Sequence, residues 1–512
     1  MNEFSEYQTL LDVFNRLNKL DHAVTILNWD QMVMMPNAGV VARSETLAEL
    51  SVMRHELLSS QKVSDALSAC ENNTEGLTEA QCRSLAAMRT AYQDASCLPS
   101  DLVKKKVIAG SNCEHGWRTQ RENNDWSGFL ANFENVVSLA REEASIRQSA
   151  MGALTPYDAL LDLHCRGDSS ELIDQVFGEL KAELPSMIDQ VIEHQHVFSS
   201  TQGASRSASA ETTAHYPVAE QTQLSHALMK SLGFDFNAGR LDVSLHPFST
   251  GVRGDQRITT RYEESTFLDA LLATAHETGH ASYEAGLPEE WAGLPVGESR
   301  NMCIHESQSL MFEKMVTLSE PFLKHLHQLV VTHLSAGKEV SFKAMRQHAR
   351  KVSKSFIRVE ADELTYPIHV ALRYDIERDL INGDMEPGHI PEAWDMAMQA
   401  GLGLSTKNNF TNGCLQDIHW TDGTFGYFPS YTLGAVNSAQ LFRSLCQANK
   451  DWETKFEEGD IGFVRDWLSE NIWQHGCHLT SQELIKQATG EGTNAKSLLA
   501  HLRGRYLTND TA

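Results

Sequence analysis

Two histidines four positions apart, His276 and His280, bracket a glutamate in the run His276-Glu277-Thr278-Gly279-His280. Four residues is about one helical turn, so on a helix both imidazoles leave one face. Held so, the pair can bind one Zn²⁺ while Glu277 is aimed at a water on the metal. The flanking residues agree with a helix. Ser265 and Thr266 follow a polar stretch and precede Phe267, Leu268, Ala270, Leu271 and Leu272, and Thr266 with Asp269 has the spacing of a capping box. Gly286-Leu287-Pro288 is a stop signal, so the predicted helix runs from about 266 to 285. Gly279 costs such a helix about 1 kcal/mol against alanine, which points to close packing or close substrate approach at that position. The plainer reading of the segment is a buried helix with two hydrogen-bonded histidines.

Most of the remaining chain also has helical period. Leu10, Phe14, Leu17 and Leu20 lay an apolar stripe on a first helix, and similar patterns recur around 172–194, 309–335 and 340–358. No repeat of fixed period is evident. Residues 199–213 are rich in Ser, Ala, Thr and Gly and read as a mobile surface loop within a single domain spanning 1–512. The strongest strand signal lies before the histidine helix. Leu241, Val243 and Leu245 alternate with polar residues, and Ile258, Thr260 and Tyr262 do so after a glycine-containing turn. This predicts a small β-hairpin, placed either to pair with an extended peptide backbone or only to cover the core. The expected fold is therefore mainly α with a minor sheet.

The balance of 43 basic against 68 acidic residues, a net charge of −25, argues against nucleic acid or an anionic membrane as partner. The opening residues Met1-Asn2-Glu3-Phe4-Ser5-Glu6 have no basic or apolar leader pattern, and no apolar run approaches the length of a membrane span. The nine cysteines are scattered and form no C-x-x-C pair, so they read as reduced thiols of a cytoplasmic protein. Cys303 reads as a small core residue rather than a metal ligand.

A catalytic zinc needs three protein ligands and an open position for water. A plausible helix over 297–318 carries His305-Glu306-Ser307-Gln308. Spacing alone does not separate Glu306 from His305 or Glu298 as the third ligand, although Glu306 gives the two-histidine, one-carboxylate set suited to peptide hydrolysis.

Several ordered motifs sharpen this. They are His246-Pro247-Phe248; Asp255-Gln256-Arg257-Ile258-Thr259; the histidine box; His305-Glu306-Ser307-Gln308; Ile357-Arg358-Val359-Glu360-Ala361-Asp362; and Gly413-Cys414-Leu415-Gln416-Asp417-Ile418-His419-Trp420, with Trp29-Asp30-Gln31 near the start. In these the chain closely resembles the carboxypeptidase Taq family of zinc carboxypeptidases, while the 199–213 stretch and His164-Cys165-Arg166 are less typical of it. The resemblance implies a saddle-shaped, helical fold whose two halves flank one deep groove, usually as a homodimer. It implies Glu306 as third zinc ligand, with Co²⁺ able to substitute for zinc. It also implies release of single residues from free C-termini with broad specificity, proline resisting.

On this reading Glu277 is the general base and then the acid for the leaving amine. Oxyanion donors are expected from His419, Tyr427 and Tyr431, with His419 and Tyr427 favoured, because related helical zinc peptidases use a His and a Tyr from such a segment. A free carboxylate suits a forked guanidinium, for which Arg257 and Arg358 are the candidates, helped by His246. Equally open on the spacing is a structural ion pair of Arg358 with Asp362, four residues on, in place of a binding role. The rival readings are a helical zinc endopeptidase with the same ligands, and a non-catalytic metal-binding protein, which predicts a closed four-ligand site and leaves Glu277 idle.

Overall fold

The computed structural model describes residues 5–201 and 214–508. Helices α1 (Ser5–Val33), α2 (Val40–Leu58), α3 (Gln61–Asn72) and α4 (Glu79–Ser96) come first. The apolar stripe predicted for the first helix is buried at Leu10, Phe14 and Leu17, joined by Tyr7 and Val13. It packs on Leu58, Val63, Leu67, Leu85 and Met88, forming a core of its own. Next come α5 (Ser100–Glu122), α6 (Trp126–Met151), α7 (Pro156–Leu161), α8 (Ser170–Thr201) and α9 (Val218–Ser231). The stretch predicted as a loop over 199–213 lies outside the described residues, save for the end of α8.

Three strands follow, β1 (Gly239–Val243), β2 (Phe248–Val252) and β3 (Asp255–Thr260), in the order β1-β3-β2. The Leu241 and Ile258 segments do pair, but in parallel, with Leu241 opposite Ile258. The predicted hairpin between them is thus corrected. The hairpin is β2 with β3, antiparallel with Ser249 opposite Ile258, closed by Arg253-Gly254 with Gly254 at φ +83°. Alternation misled because Val243 and Leu245 point to solvent, 54% and 69% exposed, instead of into a core. Ile258 instead meets Ala281 and Met229, which seats the sheet beside the histidine helix.

That helix, α10, spans Leu268–Gly286 and starts two residues later than predicted. Thr266 only touches Asp269, Oγ1 to Oδ2 3.4 Å, and caps no backbone amide. The helix predicted over 297–318 is α11 (Met302–Leu310), begun by Asn301, whose side chain accepts from the Ile304 amide. It runs on as a π-helix over Met311–Thr317. Then come α12 (Glu320–His333), α13 (Phe342–Ala349), α14 (Tyr366–Asn382), α15 (Ile390–Leu402) and α16 (Pro429–Ala448). Helix period across 340–358 ends early, at Ala349. Asp362 collects the amides of Ser353, Leu364 and Thr365 at 2.9–3.0 Å and draws that backbone into a loop. Four shorter helices, α17 (Trp452–Glu457), α18 (Gly462–Asn471), α19 (Ser481–Thr489) and α20 (Lys496–Tyr506), complete a second, larger core.

Candidate active site

His276 and His280 leave one face of α10 and meet Glu306 of α11. The Glu306 Oε2 lies 3.8 Å from His276 Nε2 and 3.5 Å from His280 Nε2. All three donor atoms fall within 4.8 Å of one another. A tetrahedral ion with bonds of about 2.0–2.2 Å sets its ligand atoms about 3.3–3.6 Å apart, so this set fits one small cation. Among the described residues it is the group with metal-ligand geometry. His305, an alternative by spacing, is turned away to His280 Nδ1 and to Glu284, its Nε2 2.8 Å from Glu284 Oε1. Glu298 is not part of the group either.

Two glycines set the position of Glu306. A Cβ on Gly279 would lie 2.5 Å from the Gln308 carbonyl oxygen and 2.7 Å from Ser309 Cα. One on Gly434, in α16, would lie 2.6 Å from Glu306 Cγ. Both distances are shorter than side chains tolerate, so α11 is pressed between α10 and α16 at near-backbone contact. The glycine inside the histidine box therefore serves close packing.

The site is rich in buried negative charge. Glu277, Glu306 and Glu313 surround the two imidazoles, and Glu313 Oε2 sits 2.9 Å from His276 Nδ1. Burial would lower the His276 pKa, but Glu306 and the Glu313 hydrogen bond outweigh it and push it up to about 10. Glu313 resists burial because Lys314 and His276 hold its carboxyl down at about 2. Glu277, 7% exposed, is raised by burial to about 7. Such an excess of carboxylate in a dry place is the environment a divalent cation satisfies.

On the opposite side of Glu306 stand aromatic residues of α16 and its approach. Tyr427 and Tyr431 share a side-chain hydrogen bond, and both are raised first by burial, with Glu306 adding to it; Tyr427 reaches about 12. His419 stacks on Tyr427 with ring centres 5.9 Å apart. Burial, then Arg358, lower His419 to about 4, so it is neutral at physiological pH. Its Nδ1 has no hydrogen-bond partner among the described residues. The segment is anchored from below by buried Glu377, which accepts from Trp420 Nε1 at 2.7 Å and from the Gly426 amide at 3.0 Å.

Arg358 is 5% exposed. Its Nη2 lies 2.8 Å from Asp417 Oδ1 and its Nη1 2.7 Å from the Tyr366 hydroxyl. The ion-pair partner is thus Asp417, not Asp362 as the four-residue spacing suggested. Asp362 is occupied by backbone amides and points into its own turn. Asp417 also holds Arg373, Nε to Oδ2 2.7 Å. One carboxylate facing two guanidiniums leaves a net positive charge beside Tyr366 and Tyr431, whose rings are 6.0 Å apart.

Arg257 and His246 stand on the sheet side. Arg257 pairs with Asp255 at 2.9 Å and lies 4.2 Å from the centre of the Trp29 ring, with Arg240 also over that ring at 5.1 Å. His246 lies in the exposed link between β1 and β2, lining a cavity of about 400 Å³ with Trp29, Phe248 and Thr250. Among the described residues no hydrogen bond or ion pair joins either to the three clustered donors. Sequence reasoning missed Tyr366, Arg373, Glu284 and Glu313. Of these, Glu313 had a local signal, seven residues or about two turns beyond Glu306, and Glu284 another, four residues or one turn beyond His280 on α10.

Residues 9–506 match the family model of carboxypeptidase Taq (M32) metallopeptidases. Thermostable carboxypeptidase 1 of Thermus thermophilus is 32% identical over 520 residues, covering 99% of each chain. Carboxypeptidase 1 of Bacillus subtilis is 31% identical over 500 residues, covering 97% of each. Among solved structures, Trypanosoma cruzi metallocarboxypeptidase 1 superposes with a TM-score of 0.93 at 36% identity, over 99% of this chain and 100% of that one. With the whole length matched, and a donor set of the kind the fold requires, the chain belongs to the carboxypeptidase Taq family of metallopeptidases.

Proposed function

We propose that this metallocarboxypeptidase holds Zn²⁺ on His276, His280 and Glu306, uses Glu277 as proton carrier, and reads the substrate's free carboxylate with Arg358. The observation that carries the reading is the convergence of three donors on one point beside the buried Glu277 carboxyl. The ion supplies Lewis acidity to the scissile carbonyl and makes water more acidic. Glu277 takes the proton released in the attack and hands it to the leaving amine. Its burial supports this role, because burial raises the carboxyl above the ordinary glutamate range while a bound cation draws it back down, so the two together keep it able to accept and return a proton. Tyr427 and neutral His419, with Tyr431 behind them, offer donors where the carbonyl oxygen gains charge.

Two guanidiniums on one aspartate favour an incoming anion, which supports carboxylate capture at Arg358. Arg257 and His246 serve the remainder of the peptide along β2, an edge strand with a free backbone row. Co²⁺ substitutes for zinc, specificity at the released residue is broad, and the protein works as a cytoplasmic homodimer in which two helical halves of one domain flank the peptide groove. Nine free cysteines support the reducing compartment. No helix among the described residues is long and apolar enough to cross a membrane.

The test is hydrolysis of N-blocked dipeptides by metal-stripped and then zinc-restored protein, with C-terminal amides as controls. Stripped protein is expected to be inactive, and restored protein to cleave the free acids far faster than the amides, whose slow rate stays measurable; internal cuts in longer blocked peptides would point to an endopeptidase. Arg358→Ala is expected to lower kcat/KM by ~10²-fold on the free acid, from the lost charge-assisted contact, and to leave the amide rate nearly unchanged. An equal loss on both substrates would rule out carboxylate recognition by Arg358.

A further inference from the structure

The two histidines of the cluster are backed unequally. His276 has a carboxylate directly behind it, Glu313 Oε2 at 2.9 Å from Nδ1. Behind His280 stands another imidazole, Nδ1 against Nδ1 of His305, and only then a carboxylate, Glu284 Oε1 at 2.8 Å from His305 Nε2. A hydrogen bond between two ring nitrogens holds a single proton, so one of them donates and the other presents its lone pair. The order in this chain follows from its far end. Glu284 meets His305 Nε2 through a carboxylate oxygen at 2.8 Å, and an ionised carboxylate only accepts. His305 therefore carries its proton on Nε2 and offers a bare Nδ1 to His280. That leaves His280 protonated at Nδ1 and bare at Nε2, the nitrogen 3.5 Å from Glu306.

We infer that Glu284 and His305 are positioning residues that fix the tautomer of His280, turning its unprotonated Nε2 toward Glu306. The inference rests on the reading of His280 as a metal ligand and extends it by two residues with no part in the chemistry. Their surroundings suit the role: the Tyr283 ring stands edge-on to His305, centres 5.3 Å apart, and the His280 and His305 rings are 4.6 Å apart. A partner behind a metal-binding histidine is usually a carboxylate, carbonyl or water. An imidazole can take that place only if a further group dictates which nitrogen is bare.

The experiment measures the zinc dissociation constant of metal-stripped, full-length protein by competition with a chromogenic chelator at fixed pH and salt. His305→Phe removes the acceptor and is expected to weaken zinc binding by about 10–100-fold. His305→Asn keeps a carbonyl near the Nδ1 position and is expected to restore most of that loss. Glu284→Gln, able to donate as well as accept, is expected to weaken binding with His305 in place, and to cost nothing further in the His305→Asn background. Wild-type affinity in His305→Phe, or an equal Glu284→Gln loss in both backgrounds, would overturn the inference. If His305→Phe does not fold, the cycle of Glu284→Gln with His305→Asn decides alone. Failure of the unaltered protein to bind zinc would instead overturn the metal reading on which this one rests.

Discussion

Replacing Glu277 by glutamine is expected to cut kcat by about 10²–10⁴-fold while zinc remains bound. The side chain is 7% exposed and lies between the two histidine positions on α10, so an amide of the same shape keeps the packing. What it loses is the ability to take up and return a proton. Metal analysis and kcat on the same preparation separate this from loss of the site, and near-normal turnover in the zinc-loaded variant would remove Glu277 from the chemistry. The base must be ionised to work, so kcat/KM should fall on the acid side. Burial places that fall above the ordinary glutamate range of about 4.3. A cation beside Glu277 pulls it back down from about 7.

Asp417→Asn is expected to destabilise the fold by about 3–5 kcal/mol, the cost of leaving buried guanidiniums without their counter-charge. Arg373 is fully buried and Arg358 nearly so, and both lean on this single carboxylate, with Phe428 under the two of them and Trp394 under Arg373. Urea unfolding of the variant beside the parent measures it, and a difference within about 0.5 kcal/mol would mean the cluster is not load-carrying. The pH dependence has a definite sign. Burial pushes Asp417 up, but Arg373 and Arg358 outweigh it and hold the carboxyl far below its ordinary value. Its contribution is therefore complete above the unfolded pKa of about 3.9 and drains away only as pH falls through the depressed folded value. The variant should show a flatter loss of stability in that acid range.

The helix carrying His276 and His280 was legible because its period, its stop signal and its chemistry all lie within some twenty consecutive residues. Its glycine pointed to close packing or close substrate approach, and the Gln308 and Ser309 backbone is what it packs on. The third donor was not legible from spacing. Glu306 and His305 differ only in how α11 is turned, which the close approach of Gly434, far along the chain, helps to fix, and Glu298 lies just past the short turn that precedes that helix. Family resemblance selected Glu306, and the geometry agrees with it. The Arg358 partner was misread for a related reason. A four-residue spacing assumes a continuing helix, whereas Arg358 sits in a single short turn and reaches Asp417 on a remote loop. The strand error has the same root: alternation reveals that a segment is extended but not which strand it pairs with, or in which direction. Residues behind the ligands, such as Glu284 and Glu313, stand at helical spacing from His280 and Glu306, but which ring nitrogen each meets is decided only when two helices come together.

The separate core within α1–α4 has a consequence for cooperativity. Its buried residues are distinct from those of the larger core. The contacts crossing between the two include Asp94 gripped by Arg166 at 2.6 Å and Arg147 at 3.5 Å, and the Trp29 ring under Arg240 and Arg257. Leu294 adds an apolar contact, and the ion pairs are partly buried, so salt weakens this seam only in part. The first four helices are therefore expected to open below the global unfolding free energy, with earlier hydrogen exchange of their amides as the measurement that checks it. Such opening would leave in place α10, α11 and α16, whose packing belongs to the larger core and brings the three donors together.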